Sequence, residues 1–177
     1  MTSERIIYTI GHSNRAPGAF FDLLQAFGIG LVADIRRLPG SRKYPHFDQE
    51  QLERSLPEQG IQYRHFAGLG GRRKTGGLGP GSPWRNASFA AYAAYMETEE
   101  FGAALRGLES EASRITTAYM CSEAVWWRCH RALVSDALKC RGWTVRHIMG
   151  PQAAKEHPYT GPAVVENGRL HYPSRPE

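Results

Sequence analysis

The sequence predicts an α/β fold: one domain with a mainly parallel five-stranded sheet, helices on both faces, and a C-terminal hairpin. Three observations predict it. Short β-branched and aromatic runs alternate with stretches of helical periodicity between residues 6 and 148. Glycines close several of the helical stretches just before the next strand. Polar clusters follow the strands directly, where parallel sheets place their ligands.

The elements follow in chain order. Ile6 to Ile10 reads as a strand, ended by Gly11-His12-Ser13-Asn14. Pro17 suits a first helical turn, and Phe20, Leu23, Leu24 and Phe27 recur at helical spacing. Gly28 and Gly30 close that helix before a strand from Leu31 to Ile35. Asp48 is placed to cap a helix reaching Leu56, and Ile61 to Phe66 alternates as a third strand. Gly68 to Pro83 has no core pattern and reads as a mobile, lid-like loop. Ser88 to Leu108 is helical, with a break near Glu99. Ile115 to Met120 is the fourth strand, Cys129 to Cys140 a helix, and Thr144 to Ile148 the fifth strand. Residues 1–150 form the α/β domain. Residues 151–177 form a tail packed on it, whose Asn167-Gly168 dipeptide predicts a tight hairpin turn.

Composition narrows the function classes. With 177 residues, 41% of them hydrophobic, the chain is long enough for its own core. No apolar run approaches the roughly twenty residues of a membrane span, so no membrane partner is expected. Met1 to Ser13 shows no apolar segment after a basic one, so no secretory leader is expected either. Three cysteines do not make a disulfide scaffold, and the expected location is the cytoplasm. The net charge is +5, and four lysines stand beside eighteen arginines. The window from Arg36 to Arg85 alone is +6, with ten basic and four acidic residues. Arginine forks grip phosphate or carboxylate with two bonds, so the window points to an anionic ligand; a solvated surface is the plainer reading.

Right-handed crossovers bring the carboxyl ends of all parallel strands to one edge. That edge collects His12, Ser13 and Asn14, then Asp34, Arg36 and Arg37, then Arg72 and Arg73, then Cys121 and Glu123, with His147 late in the last strand. The densest segment is Cys121-Ser-Glu-Ala-Val-Trp-Trp-Arg-Cys-His-Arg131. A cysteine between a strand and a helix N-terminus, with Arg128 and Arg131 nearby, is set for a lowered thiol pKa. Glu123 offers a general acid or base, and Trp126 and Trp127 offer stacking faces. Each residue has a structural alternative. Cys121 also reads as a small core residue, and Cys140 as packing alone. Cys129 admits packing, a disulfide with Cys121, or chemistry. Glu123 also reads as a helix cap, and His130 as a satisfied core histidine.

Other chemistries fit less well. Cys121 and Cys129 have seven residues between them, unlike the close pairs of structural zinc sites, so no metal ligands are assigned. A loop that wraps a phosphate between cysteine and arginine is tighter than the seven positions from Cys121 to Arg128. Gly76-Gly77-Leu78-Gly79 lacks the leading strand and following lysine of a phosphate loop. The residues specify no cofactor.

Together, Tyr8-Thr-Ile-Gly-His-Ser-Asn14, Asp34 to Arg42, Leu69-Gly-Gly-Arg-Arg73, Trp84-Arg-Asn86, Met120-Cys-Ser-Glu and Cys129-His-Arg131 resemble the domain-of-unknown-function 488 family over about residues 6 to 150. The resemblance implies an α/β domain with a site bearing cysteine, glutamate and arginine. Trp126 stands where many relatives have proline.

Two functional classes result. The first is an enzyme on a nucleotide, nucleic-acid base or other phosphorylated anionic substrate. Its catalytic candidates are Cys121, Glu123, His12 and Asp34, working by proton transfer or thiol nucleophile chemistry. Its binding candidates are Ser13, Asn14, Arg36, Arg37, Arg42, Arg72, Arg73, Trp84, Arg85, Trp127, Arg128, Cys129, His130 and Arg131, with Trp84 and Trp127 flanking a base. The second class is a non-catalytic nucleic-acid or phosphometabolite binding module using the same arginines. A redox or sulfur-handling pair, Cys121 with Cys129, is a third reading.

Overall fold

The computed structural model describes residues 3–73 and 81–175. Five strands run parallel: β1 (Ile6–Gly11), β2 (Leu31–Asp34), β3 (Gln62–His65), β4 (Thr117–Cys121) and β5 (Thr144–Ile148). A sixth, β6 (Ala154–Glu156), adds antiparallel to β5, so the sheet order is β3-β2-β4-β1-β5-β6. This edge strand is an addition to the five expected. Its sequence, Ala-Lys-Glu, carries no strand signature, and its place comes from backbone pairing with β5.

Two helices, α1 (Pro17–Ala26) and α2 (Gln49–Glu58), cover one face. The helices α3 (Ala87–Tyr95), α4 (Glu99–Arg114) and α5 (Arg131–Cys140) cover the other. Strand alternation sorts the core between them. Val32, Ala118, Met120 and Ile148 pack toward α1 and α2, while Ile7, Ala33, Tyr119 and Val145 pack toward α3 to α5. The break near Glu99 is real, because the Thr98 hydroxyl accepts from the Phe101 amide and starts a new helix. Asp48 occupies the expected cap position of α2, but its carboxylate accepts from the Ser41 amide instead.

The tail is tied to this body. Beyond β6, strands β7 (Val164–Glu166) and β8 (Arg169–His171) form the predicted hairpin, with Asn167 and Gly168 at φ of 52° and 73°. The expected loop from Gly68 to Pro83 falls partly on residues 74–80, outside those described. Among the described residues no helix is long and apolar enough to cross a membrane.

Topology fixes where a site can lie. The chain leaves β1 toward α1 and leaves β4 toward α5, on opposite faces of the sheet. These two strands are neighbours, so a crevice opens at their carboxyl ends. Gly11 and Cys121 are register partners at that point.

Candidate functional site

Cys121 is the last residue of β4, and its side chain points toward α5. Cys129 follows a 3₁₀ turn, Trp126–Arg128, just before α5. Both are free thiols and both are buried. Their sulfurs stand 2.7 Å apart, with the Cys129 S–H donating to Cys121. The first amide of α5, on Arg131, donates to Cys129 Sγ at 3.3 Å. The helix N-terminus therefore meets Cys129, not Cys121 as the sequence suggests. Burial raises the Cys121 pKa, but the Cys129 hydrogen bond and the Arg131 charge outweigh it and leave Cys121 below the ordinary thiol value. Burial and the neighbouring Cys121 push Cys129 up. The pair is thus asymmetric: Cys121 is the more acidic thiol and Cys129 the less acidic.

Arg131 completes this cluster. It is fully buried, and its Nη2 donates to the carbonyls of Glu123 and Ala124 at 3.2 and 3.4 Å. Its Nε and Nη1 have no partner among the described residues. A buried cation with unpartnered N–H groups is costly unless an anion stands near it, and ionisation of Cys121 would supply one. The loop that carries those carbonyls lies across the end of β1, where His12 and Ser13 amides donate to the Cys121 and Ser122 carbonyls at 2.9 and 3.0 Å. Only glycine permits this approach, since a Cβ at residue 11 would overlap the Glu123 carbonyl. Glu123 meets the sulfur and Arg131 through that carbonyl, and the residue is otherwise exposed. It is not enclosed by the tryptophans.

A second buried cluster holds Asp34, Arg36 and His12. Asp34 Oδ1 accepts from the Arg36 amide and Nε, and Oδ2 accepts from Arg36 Nη2 and the Tyr63 hydroxyl. Arg36 also donates to the Phe47 carbonyl and, from Nη1, to His12 Nε2. His12 donates from Nδ1 to the Ser13 carbonyl and stacks on Phe47 at 4.4 Å. Burial lowers the His12 pKa to about 4, against the pull of the Ser13 carbonyl, so the ring is neutral at pH 7. Both Asp34 oxygens accept two bonds each, and Arg36 spends four of its five side-chain N–H groups inside the cluster. Tyr63, an essential part of this cluster, has no sequence signal beyond its place on a strand.

His130 joins the two clusters. Its Nε2 donates to the Ile35 carbonyl at 2.8 Å, its Nδ1 faces Cys129 Sγ at 3.4 Å, and burial lowers its pKa to about 4. Gly71 packs directly on its ring, and Gly70 on the backbone of Arg37. The carboxyl ends of β1, β2 and β4 and the loop after β3 are therefore in mutual contact.

The remaining candidates divide. Arg37, Arg42, Arg72, Arg85 and Arg128 are exposed, with no carboxylate within 4.0 Å among the described residues. Arg37 donates to the Arg72 carbonyl. Arg73 is half-buried: it donates to the Gly70 and Ala67 carbonyls and lies 3.8 Å over the Tyr95 ring. Ser13, at a φ of 51°, turns the chain, and Asn14 is exposed. Trp84, Arg85 and Trp127 line a separate groove that the sulfurs do not reach. The sequence candidates thus divide between the carboxyl ends of β1, β2 and β4 and a separate groove, without sharing one pocket. His147 is not at the open edge; it is buried in a hydrogen-bonded line with Thr9, His157 and Asp136 that sequence reading missed. Among the described residues no group of three or more His, Cys, Asp or Glu is arranged to hold a metal ion.

These features define an α/β protein with a buried, polarised thiol pair where β1 and β4 diverge. The model of the family described as domain of unknown function DUF488 matches residues 17–138, and the chain belongs to that family. The matched region includes both cysteines, Asp34, Arg36 and Arg131 but not the segment from Tyr8 to Asn14. No curated protein and no solved structure matches the chain.

Proposed function

We propose that this protein is an enzyme acting on an anionic substrate of the nucleotide, nucleobase or phosphorylated-metabolite class, with Cys121 as its reacting group. One observation carries the reading: the Cys121 and Cys129 sulfurs stand 2.7 Å apart beside a buried Arg131 whose Nε and Nη1 have no partner among the described residues. A thiol whose pKa is lowered this way ionises more readily to the nucleophilic thiolate. Its attack forms a bond from sulfur to an electrophilic substrate atom, and the leaving group departs with its electron pair. The exposed Arg37, Arg42, Arg72 and Arg128 raise the local concentration of an anion. Glu123, exposed on the same loop, is left for proton transfer at the solvent side. Access to the sulfur requires the segment from Ser122 to Arg128 to move.

The test is a turnover and adduct screen with nucleotides, bases and phosphorylated metabolites on the wild type, Cys121→Ser and Cys140→Ser. The reading expects activity in the wild type and Cys140→Ser, and none in Cys121→Ser. Full activity in Cys121→Ser overturns it. The burial of both sulfurs favours a second reading, a non-catalytic module that binds nucleic acid or a phosphometabolite. That module would bind unchanged after Cys121→Ser and lose affinity steeply with salt.

A further inference from the structure

A groove of 420 Å³ lies on the α3 and α5 side of the molecule. Its walls come from four stretches distant in sequence: residues 83–86 with Phe89, Trp126 and Trp127 with Ala132, residues 159–162, and Arg175. We propose that this groove binds a nucleotide unit, with the base stacked on Trp127 and the phosphate held by Arg85 and Arg175. The proposal rests on the anionic-ligand part of the reading above and adds a binding place separate from the thiol pair.

The aromatic wall is built to offer one open face. Trp126 lies parallel to His147, 4.6 Å away and 5° apart, with its edge-on neighbour His157 at 4.9 Å. Trp127 meets Trp126 at 89° and remains 52% exposed. One indole is therefore fixed by two buried imidazoles, and it holds the other by a single edge contact. An exposed tryptophan so placed is a stacking platform for a flat ring. Trp84 lines the same groove, and its buried indole N–H has no acceptor among the described residues.

The opposite wall is fixed by one buried carboxylate. Asp136, on α5, accepts from the Thr160 amide at 2.9 Å and hydroxyl at 2.5 Å, from the Tyr172 hydroxyl at 2.9 Å, and from His157 Nε2 at 2.7 Å. His157 Nδ1 is hydrogen-bonded to His147 Nε2 at 2.8 Å, and His147 Nδ1 to the Thr9 hydroxyl at 2.6 Å. The line anchors Thr160 to the sheet while Trp126 packs on its histidines. Both aromatic and tail walls thus share one support.

Charge selects the ligand. Arg85 and Arg175 line the groove, and among the described residues no acidic one does. Arg85 is exposed with no carboxylate within 4.0 Å among the described residues, so its fork is available to a phosphate. The volume is within the range of small-ligand sites, roughly 300–1,000 Å³. A flat base and an anion on one molecule describe a nucleotide, either free or within a single strand.

The test uses the full chain, as wild type and as Cys121→Ser, titrated with adenosine 5′-monophosphate and with a short single-stranded oligonucleotide. Tryptophan fluorescence and calorimetry read the binding. Binding of the mononucleotide assigns a free nucleotide; binding of the oligonucleotide alone assigns a strand; either supports the groove. Trp127→Ala is expected to weaken binding about tenfold. The Arg85→Ala, Arg175→Ala double variant is expected to weaken it further and flatten its salt dependence. The absence of binding by both probes overturns the proposal, as does binding untouched by these variants. Loss of binding in the groove variants, with turnover intact in Cys121→Ser, leaves the groove standing and removes the thiol reading. Nucleotide binding unchanged in the groove variants, with turnover lost in Cys121→Ser, does the reverse.

Discussion

Asp34 and Arg36 clasp each other across a single residue, with Arg36 Nε and Nη2 on the two oxygens of Asp34 at 2.9 and 2.7 Å. Asp34 is wholly buried and Arg36 nearly so, and the Tyr63 hydroxyl closes the cluster at 2.5 Å. Removing one partner of a buried ion pair leaves an uncompensated charge. Asp34→Ala is expected to lower unfolding stability by about 3–5 kcal/mol. A denaturant titration checks it. A loss under about 1 kcal/mol would mean that the pair is not the structural clasp described here.

Acid should weaken the fold in a defined window. His12 and His130 have pKa values lowered by burial to about 4, and His147 to about 2, against an ordinary 6.5. The native state therefore keeps these rings neutral while the unfolded chain protonates them. Their contribution is complete above pH 6.5 and is lost as pH falls toward the native values. Each ring adds a slope of up to about 1.4 kcal/mol per pH unit. Stability measured from pH 7 to pH 4.5 should fall, and His12→Gln should flatten the slope. A stability that is level or rising over that range contradicts the assignment.

Gly11 lets the Cys121 loop cross the end of β1. Gly11→Ala should displace the Glu123 carbonyl and cost about 1–3 kcal/mol through overpacking. It should also move Cys121 relative to Arg131, so the thiol pKa rises toward its ordinary value. Gly18→Ala, where nothing lies within 4 Å of the added carbon, is the control: on α1 it should raise stability by up to about 1 kcal/mol and leave the thiol pKa unchanged.

Asp136 gathers four hydrogen bonds from the tail and His157. Asp136→Ala leaves those buried donors without an acceptor, at about 1–3 kcal/mol for each group that water cannot reach. Hydrogen exchange should report faster opening of residues 157–172, while β1, β2 and β4 stay protected. Uniform loss of protection across the sheet would mean that the tail and the body unfold as one unit.

Much of this architecture is legible in sequence, because strands such as Ile6–Gly11 and Thr144–Ile148 announce themselves by β-branched and aromatic runs. Helices α3 and α4 were separable at Glu99, since Thr98 is a cap residue. The polar residues of the edge were legible by their positions after strands. Their partners were not. Asp34 spends itself on a residue two positions away and on Tyr63, which no spacing rule singles out. The line from Thr9 through His147 and His157 to Asp136 joins residues separated by as many as 138 positions. Its members sit on unrelated elements and look ordinary on each. The tail shows little periodicity because its place is set by pairing to β5 and by one carboxylate, not by an apolar stripe.

The polarised thiol pair is tested most directly by following thiolate ultraviolet absorbance against pH in a Cys140→Ser background. One thiolate per chain should form below the ordinary thiol value of about 8.5, vanish in Cys121→Ser, and shift upward in Cys129→Ser. A first thiolate that forms only above that value, or one that survives Cys121→Ser, contradicts the account.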